Sequence, residues 1–232
     1  MTGAAPPRLL VATTNPGKLA EIRDILRETP TTLATLDDHP GITEPEETGP
    51  TFAANARLKA RYYAGATGEL TVAEDSGLEI DALDGEPGVR SARFNGESYA
   101  DKFAAIRGML AERGADGSTA RFVCALAIAR PSSSDDSAGR PTDPSGARSV
   151  PRRELPARAG VVLWETAGIV EGRVQLPPRG DGGFGYDPIF HYPPYRRTLA
   201  EVTPEEKAAV SHRGQAFRRL RRHLLAGEAA RW

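Results

Sequence analysis

The sequence holds one cysteine in 232 residues, which excludes a disulfide within the chain. That residue, Cys124, lies inside an apolar run and reads as a small buried hydrophobe, which fits a reducing, cytoplasmic setting. No apolar stretch approaches the ~20 residues that a membrane helix needs. Residues 1–7 lack the basic-then-apolar pattern of a signal peptide. There is no excess of charge of one sign: 30 basic against 31 acidic residues leave a net charge of −1. A generally basic nucleic-acid binder or an acidic tail is therefore not indicated. No internal repeat is visible.

Turn-forming residues are plentiful. With 24 glycines and 19 prolines beside 39% hydrophobic residues, the chain is globular but rich in irregular connections, and its length suits one α/β domain. Residues 131–160 form the exception, with five prolines, many Ser and Gly, both charge signs and no aromatics. Such a stretch buries too little apolar surface to offset its ordering entropy, so it reads as a mobile loop inserted in a single domain spanning 1–232.

The centre of the chain is Glu74-Asp75-Ser76-Gly77, which follows the apolar strand 70–73. The strand delivers two adjacent carboxylates to its end, where Gly77 permits a sharp turn. Neighbours on a strand point to opposite faces, so one of Glu74 and Asp75 faces a given cleft. Before it, strand 8–13 leads through Thr14-Asn-Pro-Gly-Lys18 into a helix with Leu19, Ile22, Ile25 and Leu26 on one face. That opening aims backbone N–H groups and a lysine at one point, an arrangement suited to anions. It is not a Walker loop: the first glycine is missing, and Leu19 stands where Ser or Thr would hold magnesium. Helical composition covers 52–64, where Thr51 is a cap and Asn55 and Lys59, four apart, share a face. Another amphipathic helix spans 99–113. A strand densely apolar on both faces covers 122–129. Residues 161–165 and 168–174 read as two strand pieces with a bend or bulge between them. The loop 180–188 combines glycines that allow close approach with Phe184, Tyr186 and Asp187. Ser211 caps a last helix that buries Phe217, Leu220, Leu224 and Leu225.

Six ordered motifs resemble one family, the house-cleaning pyrophosphatases that hydrolyse inosine and xanthosine triphosphates. They are Thr13-Thr-Asn-Pro-Gly-Lys18, the stretch from Glu47 through Asn55 to Lys59, Ala73-Glu-Asp-Ser-Gly-Leu78, Pro87-Gly-Val-Arg-Ser-Ala-Arg-Phe94, Gly183-Phe-Gly-Tyr-Asp-Pro188, and Glu206-Lys207 with Ser211-His-Arg-Gly214. The departure from the family pattern is the length of 131–160, which touches no motif. The resemblance implies a long, mixed, twisted sheet flanked by helices, two lobes with the nucleotide in the cleft between them, and a homodimer. It implies hydrolysis of dITP, ITP or XTP to the monophosphate and pyrophosphate.

In that reading Asp75 is the catalytic base, and Glu47 and Asp75 hold a magnesium ion, with Glu74 behind them or as an additional ligand. A carboxylate beside a metal is a weak base, so positioning the water outweighs abstracting its proton. Thr13, Thr14, Asn15, Lys18 and Lys59 belong to the phosphate side. Ser76, the loop residues Phe184, Gly185, Tyr186 and Asp187, and Lys207, His212 and Arg213 belong to the nucleoside side. One of Phe184 and Tyr186 stacks on the purine, and His212 or Arg213 donates to its C6 oxygen, where adenine offers a donor instead. The rival reading is an α/β module that binds nucleic acid through Arg213, Arg218, Arg219, Arg221 and Arg222. A pyrophosphatase of modified pyrimidine nucleotides fits less well, because of Ser211-His-Arg213 and Phe184-Gly-Tyr-Asp187.

Overall fold

Three long strands carry the molecule: β3 (Leu70–Ile80), β4 (Gly117–Arg130) and β5 (Val161–Gln175), paired antiparallel along nearly their whole lengths. The computed structural model describes residues 6–133 and 159–226. Short strands β1 (Arg8–Val11) and β2 (Thr32–Thr35) add in parallel beside β3, while β6 (Phe190–Tyr192) and β7 (Arg197–Thr198) add antiparallel beside β5. One seven-stranded mixed sheet results, in the order β2-β1-β3-β4-β5-β6-β7.

Among the described residues five helices flank it, each started by a residue suited to the task. In α1 (Pro16–Leu26), Asn15 Oδ1 accepts from Lys18 N and proline occupies the first turn. Thr51 caps α2 (Phe52–Thr67), and left-handed Gly68 ends it. Capping boxes open α3 (Tyr99–Glu112, from Ser98 and Asp101) and α4 (Pro204–Val210, from Thr203 and Glu206). Ser211 closes α4 and caps α5 (His212–Leu225). No helix among the described residues is long and apolar enough to cross a membrane.

The strand period of two sorts the core. On one face Val72, Cys124, Leu126 and Ile128 pack with Ile22 and Leu26 of α1 and Phe217, Leu220 and Leu224 of α5. On the other, Ala73, Ala125, Ala127 and Ala129 meet Ala56, Ala60 and Tyr63 of α2. Small residues on both sides of that contact let the helix lie close to the sheet. Farther along the strands, Leu78, Ile80 and Phe122 join Ile106 and Leu110 of α3 and Phe190 of β6 in a separate cluster. Two lobes share the long strands, and residues 74–77 fall between them.

Leu225, expected inside with the other α5 leucines, is 50% exposed at the end of that helix. Three further details differ from the sequence reading. Gly77 does not turn the chain; β3 runs straight through it. Glycine is needed there because a Cβ would collide with Ser91 Oγ and stand 2.7 Å from Gly88 O. The pieces at 161–165 and 168–174 are one strand, and the irregularity lies opposite Ile128/Ala129, where β5 skips from Trp164 to Val162. Strand β2 had no signal of its own in the sequence; pairing with β1 defines it. The interior of the 131–160 stretch, residues 134–158, lies outside the described residues. Its flanks meet, since Ser132 Oγ donates to Ala159 O and Gly160 N donates to Arg61 O.

Candidate active site

β1 stops at Val11, paired opposite Val72, so among the described residues the edge of β3 beyond it has no strand partner until Glu79 bridges Pro87. A cavity of about 730 Å³ fills this gap. Because the edge is open, the cavity reaches both faces of β3, and Glu74 and Asp75 both line it. The expectation that only one of them would do so fails for this reason.

The α2 face carries Asp75. Asn55 Nδ2 donates to Asp75 Oδ2 (2.9 Å), while Asn55 Oδ1 accepts from Gly49 N (2.7 Å). That single amide ties the loop holding Glu47 to the acid on β3. Lys59 Nζ lies 2.5 Å from Glu47 Oε1 and 3.6 Å from Asp75 Oδ1, so one ammonium serves two carboxylates. Burial pushes Asp75 above its ordinary value; Lys59 pulls it back, and the neighbouring Glu47 raises it again. Burial works against the charge on Lys59, but Asp75 and Glu47 together raise its pKa.

On the opposite face Glu74 is held by cations. Lys18 Nζ lies at 3.0 Å, Arg213 Nε donates to both oxygens at 3.2 and 3.3 Å, and Cys124 Sγ donates to Oε2 at 2.9 Å. Burial alone would raise this carboxyl, yet Arg213 and Lys18 hold it well below the usual carboxylate range. Glu74 is therefore the shared counter-ion of Arg213 and Lys18. Cys124 is buried as expected and is also one of its hydrogen-bond donors. Arg213 further donates to Glu21 Oε2 (2.8 Å) and Ser76 Oγ (3.1 Å), committing three of its five N–H groups within the protein.

The far end of the cavity is aromatic and charged. Lys207 Nζ bonds Asp187 Oδ2 (2.6 Å), pairs with Glu21 Oε1 (2.9 Å) and lies 4.2 Å from the centre of the Phe184 ring, with Arg213 also over that ring at 5.4 Å. Asp187, raised by burial and lowered again by Lys207, accepts the Phe184 N–H at 2.7 Å and so fixes the loop. Tyr186 is buried against Tyr99 and Phe103, and its hydroxyl donates to Ser91 O (2.8 Å). Of the two aromatics, Phe184 is the ring left half-exposed in the cavity. His212 stacks on Phe122 at 4.8 Å; burial and then Arg213 push its pKa well below the ordinary value, so the ring is neutral. Its Nδ1 is buried without a partner among the described residues.

Thr13, Thr14, Asn15, Lys18, Glu47, Lys59, Asp75, Ser76, Phe184, Gly185, Tyr186, Asp187, Lys207, His212 and Arg213 therefore all line one cavity. Asn55, Glu21, Ser91 and Arg93 were not among the expected site residues. For Asn55 the signal was present: it lies one helical turn from Lys59. Glu21 lay on the polar face of α1 and looked like any solvated acid.

The comparisons with known proteins can be set against this geometry. The model of the Ham1 family matches residues 9–140 and 156–223. The chain belongs to that family. A dITP/XTP pyrophosphatase of Exiguobacterium sp. is 41% identical over 220 residues, which are 94% of this chain and 97% of that protein. Another from Geobacter sulfurreducens is 41% identical over 219 residues, 94% of this chain and 96% of that one. Among solved structures, a HAM1 protein from Coxiella burnetii superposes with a TM-score of 0.75 at 34% identity, covering 95% of this chain and 99% of the other. The fold shared with this family is the mixed sheet with flanking helices described above.

In the basic stretch of α5 that supported the nucleic-acid alternative, three arginines bond other parts of the chain although Arg219 and Arg222 are exposed. Arg218 donates to Ala208 O and Ala209 O, Arg219 to Ala167 O, and Arg221 to Glu28. These guanidiniums bind the protein itself and do not form a free phosphate-binding row.

Proposed function

We propose that this chain is a nucleoside-triphosphate pyrophosphatase that hydrolyses non-standard purine nucleotides, dITP, ITP and XTP, to monophosphate and pyrophosphate. The observation that carries the reading is the polarity of the cavity. Glu47, Lys59 and Asp75 lie at one end, and an aromatic ring framed by Lys207, Asp187 and Arg213 lies at the other.

The charge on the lining argues for a metal. Lys18, Lys59, Arg93, Lys207 and Arg213 face Glu44, Glu46, Glu47, Glu74, Asp75 and Asp187, five cations against six carboxylates. A triphosphate brings about four more negative charges, so it needs a divalent cation to enter. Magnesium takes hard oxygens, often one or two carboxylates with the rest from phosphate and water. Glu47 and Asp75, drawn together on one lysine, fit that need. Among the described residues no group of three or more His, Cys, Asp or Glu could hold a metal. When bound, magnesium supplies neutralisation of the polyphosphate charge.

The remaining work falls to the chain. Asp75, fixed by Asn55, orients a water toward the α-phosphorus and accepts its proton. The water oxygen forms the new P–O bond, and the bond to the β-phosphate oxygen breaks, with its electrons leaving on pyrophosphate. Lys18 and the N-terminus of α1 face the phosphates. Phe184 stacks on the base, and the uncommitted N–H groups of Arg213 donate to a C6 oxygen. Adenine would place a donor there, and an unpaired buried donor can cost roughly 10⁴–10⁵ in specificity. The same reading carries a homodimer and a cytoplasmic setting; sedimentation velocity tests the first.

Product analysis tests the reaction. Protein with magnesium is given dITP, XTP, dATP, dGTP and dTTP separately. Monophosphate and pyrophosphate from dITP and XTP, with the others spared, are expected. Diphosphate with orthophosphate would move the attack to the γ-phosphorus and refute the assignment.

A further inference from the structure

Of the five cations on the cavity wall, four are already spoken for. Lys18, Lys59, Lys207 and Arg213 each lie within 3.0 Å of a carboxylate, with side chains 20%, 9%, 6% and 3% exposed. Arg93 is different. Its side chain is 61% exposed, and its one contact among the described residues is Nη1 at 3.4 Å from Glu47 Oε2, near the limit for a hydrogen bond.

The backbone beneath Arg93 is, by contrast, firmly held. It ends the short helix Gly88–Arg93. Ser91 Oγ donates to Gly88 O (2.6 Å) and accepts from Leu78 N (3.0 Å), which ties this turn to β3. Ser91 O accepts the Tyr186 hydroxyl at 2.8 Å, linking the turn to the aromatic loop. Ala92 O, the carbonyl directly before Arg93, accepts from Lys102 Nζ at 2.6 Å, and that lysine is buried on α3. Three separate elements thus anchor a pivot whose side chain is loose. An arm of that kind keeps its base in register with β3 while its guanidinium swings across the Glu47 end of the cavity.

We propose that Arg93 is a phosphate-binding arm that exchanges its weak contact with Glu47 for the terminal phosphates of the substrate, and then for the leaving pyrophosphate. The proposal rests on the functional reading above, since it names a group that reading left unassigned. A planar fork of donors matches a pair of phosphate oxygens, and it costs little to redirect because its side chain is exposed and its one contact is long. The other cations are already held close by carboxylates, so the loosely held one suits the part of the ligand that must leave.

The test is calorimetric binding of two ligands, each with magnesium, to the full chain: inorganic pyrophosphate and inosine monophosphate. Arg93→Ala should weaken pyrophosphate about ten- to hundredfold, the range for charged hydrogen bonds, and leave the monophosphate unchanged. Arg93→Lys keeps the charge but not the fork and should fall between. The melting temperature without ligand should not move, because an exposed side chain with one marginal contact adds little to stability. Pyrophosphate affinity within about twofold of wild type would overturn the proposal, on the scale of the same hydrogen-bond energies. An equal loss for both ligands would also overturn it and make Arg93 only a support for Glu47. A wild-type protein that binds no pyrophosphate would do the same. Turnover of dITP by the wild type is measured alongside: if it is absent while the Arg93 effect on pyrophosphate persists, the proposed reaction fails and the arm stands.

Discussion

Replacing Glu74 with glutamine would keep its shape and remove its charge. In the folded protein that carboxylate is the shared partner of Arg213, Lys18 and the Cys124 thiol, and its side chain is 2% exposed. With glutamine there, Arg213 keeps only Glu21 as a charged partner, and no carboxylate within ion-pair distance remains for Lys18 among the described residues. Breaking a buried ion pair from one side typically costs about 3–5 kcal/mol, because a charge is left in a poorly solvated place. For a chain of this size that corresponds to a melting temperature lower by roughly 10 °C, and to a large fraction of the ~5–15 kcal/mol that holds a domain together. Urea unfolding of both proteins measures it, and the midpoint should fall with the slope unchanged. The pH dependence adds a second check. The folded carboxyl lies below its unfolded value, so its contribution is complete above the ordinary carboxylate range and is lost as pH falls through and below it. The gap between wild type and Glu74→Gln should stay flat from pH 8 to about pH 5, close above the unfolded carboxylate value, and narrow only below that. A loss under about 1 kcal/mol would be what an exposed ion pair gives, and would refute the view of Glu74 as the counter-ion on which the α1–α5 side of the site is built.

Asp75 should respond in the opposite sense. Burial and Glu47 raise its folded pKa, so its charge is a cost to the metal-free fold. Asp75→Asn is expected to melt higher than wild type at pH 7 in EDTA, with the advantage shrinking as pH falls through the folded value and wild-type Asp75 takes up its proton. Turnover of dITP by that variant should drop by orders of magnitude; near-normal turnover, or a lower melting point at pH 7, would remove Asp75 from this role. Gly77→Ala drives a methyl into Ser91 Oγ and to 2.7 Å from Gly88 O, so it should cost about 1–3 kcal/mol, as overpacking usually does. Thermal unfolding unchanged by that alanine would show that the turn bearing Arg93 is not fixed against β3.

What was legible in the sequence follows from how local each signal is. Thr51 and Ser211 cap the helices that their patterns announced, because capping needs only a side chain and the N–H groups of the next turn. The ordered motifs placed every expected site residue on one cavity, since each motif is a short contiguous stretch whose residue types carry the signal. Two kinds of information were not local. Gly77 reads as a hinge in isolation, and only the approach of Ser91, fourteen residues on, shows that it is a place where nothing larger fits. The partnership of charges was equally hidden. Glu21 and Arg213 stand far apart in the chain, and Glu21 looks like an ordinary polar-face residue until β3 brings Glu74 between α1 and α5. The same packing reassigns Arg213. A sequence reading sees a free donor for a base, whereas the structure spends three of its N–H groups on Glu21, Glu74 and Ser76 before any ligand arrives. Under the proposed function, specificity for the C6 oxygen would rest on the remaining donors of a guanidinium held by its own counter-ions. A donor fixed in this way would not turn aside to accommodate adenine, so the ion pairs that stabilise the lobe would also serve its selectivity.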